Sequence, residues 1–189
     1  MPRNQPLRPG TLIVTELRSA TADDLPVLET LIARSGRELS AGYYTDAQAE
    51  AITRHVFGVD TQLIADQTYF VIAHSDAIVA CGGWSRRRTL FGADRTKAGP
   101  DPLLDPAREP GRIRAFFVVP EMARHGLGRQ LMEHCVTEAK AAGFRALELV
   151  STLPGEPLYL ASGFAVTERF ELPLPGDVRV PVSRMRKAL

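Results

Sequence analysis

The apolar positions of this chain change period several times, and each change marks an element. Leu12 to Arg18 (LIVTELR) is rich in β-branched residues and predicts a first strand. Thr21-Ala22-Asp23-Asp24 supplies a capping residue and first-turn acids. Leu25, Leu28, Leu31 and Ile32 then recur at helical spacing, which predicts an amphipathic helix to about Ser35. Tyr43-Tyr44-Thr45-Asp46 opens a second helix ending near Gly58. Two short apolar runs, Tyr69 to His74 and Ala77 to Trp84, flank Ser75-Asp76 and predict a hairpin whose turn lacks glycine. Residues 86–111 lose all periodicity among basic residues, glycines and Pro100, Pro102, Pro106 and Pro110, and read as a long functional loop or insertion.

Arg112 to Val119 (RIRAFFVV) ends without polar alternation, which predicts a central strand buried on both faces, stopped by Pro120. Leu127, Leu131, Cys135 and Ala139 follow at i, i+4 steps, with Gly143 just past their helix. Ala146 to Ser151 reads as a strand and Glu156 to Ser162 as a short helix stopped by Gly163. Ala165 to Leu172 and Val178 to Met185 close the chain as a hairpin. This order predicts an α/β fold with a mixed sheet and helices on its faces.

Composition narrows the class. A chain of 189 residues, 44% hydrophobic and 24% charged, fits one domain over 11–189, with Pro2, Pro6 and Pro9 making 1–10 a flexible arm. A net charge of +1 argues against holding nucleic acid by bulk phosphate neutralisation. Cys81 and Cys135 form no C-x-x-C pair, which favours a reducing compartment. No apolar run approaches membrane-span length and the start lacks a signal-peptide pattern, so the expected location is cytoplasmic. His74 and His125 are isolated, and no metal is expected. Both cysteines read as core residues.

The chemistry concentrates in Phe116-Phe117-Val118-Val119-Pro120-Glu121-Met122-Ala123-Arg124-His125-Gly126-Leu127-Gly128-Arg129. A buried strand turns sharply into a helix whose mouth holds two glycines. Such a mouth binds anions, because its first N–H groups lack internal partners and the macrodipole places positive charge there. Glycines at 126 and 128 take away the Cβ atoms that would hold a pyrophosphate off, and Arg124 and Arg129 add charge. The alternative is an ordinary helix entrance with small residues for close packing. A P-loop is excluded, since Arg129-Gln130 follows Gly128, and Leu131 breaks the dinucleotide fingerprint.

The run VVPEMARHGLGRQLM, followed by a helix, a strand and Leu158-Tyr159-Leu160-Ala161-Ser162-Gly163-Phe164, resembles the GNAT superfamily of acyl-CoA-dependent N-acyltransferases over roughly residues 112–170. The family pattern Gln/Arg-x-x-Gly-x-Gly/Ala falls with its first position on Ala123 and Arg124 one place later. The resemblance implies a mostly antiparallel central sheet with a splayed strand pair. It places Phe117, Val118 and Val119 along the pantetheine arm of acetyl-CoA, and the backbone of Arg124, His125, Gly126, Leu127, Gly128 and Arg129 around the pyrophosphate. It makes Tyr159 the acid that protonates departing thiolate. Where the family often has Asn, this chain has Thr152-Leu153-Pro154-Gly155.

The implied activity is transfer of an acetyl group from acetyl-CoA to a small-molecule or peptide amine by direct attack in a ternary complex, with Val118 N–H and its neighbours polarising the thioester. An acyl-CoA sensor or assembly module without turnover is the alternative, and family members often form homodimers. The strand 113–119 has no carboxylate, which leaves Glu148, Glu38 and Asp46 as candidate bases, or a water chain. Tyr43, Tyr44, Trp84 and the 86–111 loop are expected to line the acceptor side. Residues 86–114 hold eight Arg or Lys against four Asp or Glu, a solvated face or an attraction for phosphates or an acidic acceptor.

Overall fold

The computed structural model describes residues 14–94 and 101–189. Its elements run β1 (Glu16–Ser19), α1 (Leu25–Glu38), α2 (Asp46–His55), α3 (Thr61–Ala65), β2 (Tyr69–His74), β3 (Ala77–Ser85), β4 (Gly111–Val118), α4 (Leu127–Ala141), β5 (Ala146–Thr152), α5 (Glu156–Ala161), β6 (Ala165–Leu174) and β7 (Val178–Ala188). The strands form one sheet of order β1-β2-β3-β4-β5-β7-β6. All neighbours pair antiparallel except β4 and β5. The mixed, mostly antiparallel α/β sheet expected from the sequence is the sheet observed. The arm at 1–10 lies outside the described residues, as does part of the first predicted strand.

Local chemistry explains most boundaries. Thr21 N–H donates to Asp24 Oδ2 at 2.8 Å, and Arg18 grips the same carboxylate with two contacts of 2.8 Å, anchoring the entrance to α1. Thr45 and Gln48 form a reciprocal capping box on α2, with bonds of 3.3 and 3.1 Å. Asp60 caps α3, a helix too short to leave a periodic signal, through Gln62 N–H at 3.1 Å. The hairpin turn at Ser75-Asp76 has positive φ at both residues, 48° and 64°, the type I′ geometry that fits strand twist even without glycine.

The decisive feature is the β4–β5 pair. Only Gly111↔Leu147 and Arg112↔Glu148 are in register, and beyond them the two strands part. Arg112 Nη1 meets Glu148 Oε2 at 2.6 Å, pinning the last paired position. On its other edge β4 carries a bulge: the register with β3 slips between Cys81 and Gly83, so Ala115 and Phe116 face Gly82 alone. Ala115 adopts φ 52°, and the Tyr69 hydroxyl donates to its carbonyl at 2.9 Å. Gly82 is glycine for a packing reason, since a Cβ there would come 2.6 Å from the Phe116 ring.

Candidate active site

The parted strands open a cleft with two cavities. The larger, about 480 Å³, lies between β4, the mouth of α4, the residues leading into α5, and Ser35, Gly36, Leu39 and Ser40 of the α1 end. The smaller, about 100 Å³, lies between β4, β5, α2 and the loop at 90–92. Phe57, Phe116, Phe117, Thr152 and Tyr159 line both.

The larger cavity is floored by backbone. Gln130 N–H is the first in α4 to find a helical acceptor, Gly126 O at 3.0 Å, and none of the N–H groups of residues 124–129 donates to a protein acceptor among the described residues. Gly126 sits at φ 86°, and a Cβ built there meets nothing within 4 Å. Arg124, at φ 67°, is also left-handed, a strained conformation for an arginine. Two consecutive strained features, Ala115 and Arg124, thus bracket the strand end and the turn after it.

These observations fit a pyrophosphate-bearing ligand: unpaired N–H groups at a helix mouth, positive macrodipole, and open space where a side chain would stand. Gly128 has a different reason from the one the motif suggests. A Cβ there would lie 2.9 Å from Leu158 Cδ2, so this glycine lets α5 pack against α4.

Of the residues expected along the ligand, Phe117, Val118, Arg124, Gly126, Leu127, Gly128 and Arg129 line the larger cavity. Val119 and His125 do not: Val119 N–H donates to Val79 O at 2.9 Å inside the sheet, and His125 Nδ1 lies 2.9 Å from Ala123 O on the surface. Val118 N–H reaches Ser35 Oγ at 3.3 Å, bringing in a buried residue of α1 that sequence reasoning passed over. The signal was Ser35-Gly36 within an amphipathic helix, because a Cβ at Gly36 would run into the Phe57 ring.

Tyr159 is half-buried and packs edge-on against Phe116 and Phe164, with ring centroids 6.3 and 6.0 Å apart. Its hydroxyl makes no hydrogen bond to a described residue. Burial, with a smaller contribution from Cys135, raises its phenol above the ordinary value of about 10, so it stays protonated at neutral pH.

The acceptor-side expectations need correction. Trp84 is 3% exposed and stacks edge-on with Phe144 at 5.7 Å in the main core, where its β-strand face points away from the cleft. Tyr43 stands on the surface. Tyr44 is a strut: its hydroxyl accepts from Leu153 N–H at 2.9 Å and donates to Pro181 O at 2.7 Å, fixing the end of β5 to β7. None of the three lines either cavity.

The candidate bases fare alike. Glu148 is held by Arg112 at the closed end of the splay, Glu38 pairs with Arg34 at 2.8 Å on the surface, and Asp46 begins α2. No carboxylate lines either cavity. The basic run is also accounted for locally. Arg87 pairs with Asp66 at 2.6 Å, Arg88 with Glu109 at 3.8 Å, Arg108 with Asp105 at 3.7 Å, and Arg114 with Asp60 at 2.8 Å. Arg95 and Lys97 lie outside the described residues. Cys81 and Cys135 are buried and free, and burial pushes the Cys81 thiol up to about 12. Among the described residues no group of three or more His, Cys, Asp or Glu is placed to hold a metal ion, and no helix is long and apolar enough to cross a membrane.

A splayed parallel pair beside a bulged strand, running into an uncapped helix mouth, defines a class, and comparison identifies it. The Acetyltransferase (GNAT) family matches residues 34–164, and the chain belongs to that family. Among solved structures it is similar to a GCN5-related N-acetyltransferase from Rhodopseudomonas palustris (16% identity, 92% of this chain and 95% of that one, TM-score 0.67). It is similar also to the PaiA N-acetyltransferase from Thermoplasma acidophilum, solved with coenzyme A (13% identity, 93% and 99% covered, TM-score 0.62). A third is the ribosomal-protein-S18-alanine N-acetyltransferase from Escherichia coli (17% identity, 93% and 94% covered, TM-score 0.57). These likenesses establish the fold. No curated protein matches the chain by sequence.

Proposed function

We propose that this protein is an N-acetyltransferase that moves the acetyl group of acetyl-CoA to an amine by direct attack within a ternary complex. The observation that carries the reading is the row of unpaired N–H groups at 124–129, opening into the cleft that Tyr159 also lines. In this reading the backbone of 124–129 holds the pyrophosphate, and Phe117 and Val118 flank the pantetheine arm. When bound, acetyl-CoA supplies an activated acyl group on a thiol that leaves readily.

The chain's own residues then divide the work. Val118 N–H, held only by a long bond to Ser35 Oγ at 3.3 Å, is available to polarise the thioester carbonyl. Tyr159 donates its proton to the departing sulfur, and the proton lost by the amine nitrogen restores the phenol through water. The walls of the two cavities set the amine and the acyl carbon against each other, which converts an encounter into a positioned attack.

Acetyl-CoA should raise the melting temperature, since a ligand that binds only the folded state stabilises it by mass action. Thiol release should then depend on an added amine. Absence of a thermal shift at millimolar acetyl-CoA rules the reading out. A shift without thiol release across a broad amine panel favours the second reading, an acyl-CoA sensor, which the lack of a carboxylate in either cavity supports.

A further inference from the structure

The smaller cavity has mostly apolar walls, with Arg114, Thr152 and Tyr159 as the polar exceptions. Ile52 of α2 and Val56 just after it, Leu90 and Phe91 of the loop, and Leu172 and Val182 of the β6–β7 hairpin surround it, with the Phe57, Phe116 and Phe117 rings toward the shared boundary. It continues the apolar cluster that joins α2 to β5, β6 and β7. Its one charged lining residue, Arg114, is 3% exposed and spent. Arg114 Nη2 donates to Asp60 Oδ2 at 2.8 Å and to Gly92 O at 2.6 Å, and Nη1 donates to Thr89 O at 2.8 Å. The two bonds to Thr89 O and Gly92 O tie the loop at 89–92 to β4, so the wall is built rather than draped.

We infer that the acceptor is a small monoamine with an uncharged, apolar aryl or branched-alkyl substituent. This rests on the acetyl-transfer reading and specifies its acceptor. A second ammonium would find no carboxylate in the cavity, and an acidic group would meet a guanidinium already neutralised by Asp60. An apolar substituent instead loses water from both surfaces. The same walls account for the missing base. Desolvation disfavours the charged form of an amine, so a guest in this cavity sheds its proton to bulk water on entry and arrives as the neutral nucleophile. The balance closes: the C–N bond forms, the C–S bond breaks, and one N–H proton leaves while the sulfur gains one.

The test compares 2-phenylethylamine and 3-methylbutylamine with spermidine, glutamate and a short peptide with a free N-terminus. Thiol release from acetyl-CoA and the melting temperature in the presence of CoA are read in parallel. The apolar monoamines should exceed the others in kcat/KM by at least about tenfold, because each buried methylene contributes a sizeable fraction of a tenfold step. Phe91→Asp, at a loop position that is 36% exposed, should move the ranking toward spermidine. A ranking led by spermidine, glutamate or the peptide overturns the inference while leaving acetyl transfer standing. Apolar amines that raise the melting temperature only with CoA, yet release no thiol, support the cavity assignment and overturn acetyl transfer. Neither binding nor turnover of the apolar amines, or an unchanged ranking in Phe91→Asp, overturns the inference.

Discussion

The two halves of the cleft are made from different materials. The larger half is floored by backbone: a strand edge, a left-handed turn and the first N–H groups of α4. The smaller half is walled by side chains drawn from α2, the 86–110 segment, β4, β5 and the terminal hairpin. A backbone site needs only that certain side chains be absent or small, and it can be kept while nearly every neighbour changes. A side-chain site depends on the identity of each wall. The contrast with α2 and α3 sharpens the point. Thr45 and Asp60 cap α2 and α3 with side chains, whereas Gly126 leaves the mouth of α4 open.

The largest expected effect falls on the side-chain half. Asp60→Asn leaves the Arg114 guanidinium buried without its counter-charge, and breaking a buried pair typically costs about 3–5 kcal/mol. Denaturant unfolding measures it, and a loss below about 1 kcal/mol would mean that the carbonyls of Thr89 and Gly92 suffice to hold the arginine.

Tyr159→Phe acts where the halves meet. It should lower kcat by about 10²–10³-fold, the lower part of the range for a positioned acid, with acetyl-CoA affinity nearly unchanged. Acyl donors with a more acidic thiol should narrow the deficit. A large rise in the CoA dissociation constant instead would place the hydroxyl on the ligand rather than on the proton.

Gly126→Ala strikes the backbone half directly. Any L-residue at φ 86° is strained, by roughly 1–2 kcal/mol, and the new methyl stands in the open space of the cradle. The variant should lose stability modestly and lose most of the thermal shift given by acetyl-CoA. Gly128→Ala should disturb Leu158 while retaining more of that shift, because the flexible end of Leu158 can move. Equal behaviour of the two variants would erase the distinction drawn between these glycines.

Arg124→Ala should matter least. The side chain is exposed, so its charge is screened, and CoA affinity should fall only about two- to fivefold, an effect that fades at high salt. A greater loss would mean that side-chain charge, and not backbone, holds the ligand.

Much of this was legible along the chain. Strand and helix periods located eleven of the twelve α-helices and strands among the described residues, missing only α3, whose five residues span little more than one turn. Gly-x-Gly after an apolar strand marked the uncapped helix mouth, because a site made of backbone announces itself through the side chains it lacks; the end of that strand, expected buried on both faces, is half-buried because it lines the cleft. The register of Tyr159 with Gly163-Phe164 put it on the short helix α5, and it lines both cavities.

The side-chain half of the cleft was not legible, and Tyr44, Trp84 and Arg114 say why. Each could stand by sequence in a cleft, but pairing put Trp84 on the core face of β3, tied Tyr44 to Leu153 and Pro181, and buried Arg114 on Asp60, 54 residues away. Local sequence determined the elements and the backbone cradle, whose geometry depends on neighbours along the chain. The tertiary structure alone decided which side chains face the cleft, because the bulge at Ala115–Phe116 and the parting of β4 from β5 after Arg112 are set by strands that meet only in the folded sheet.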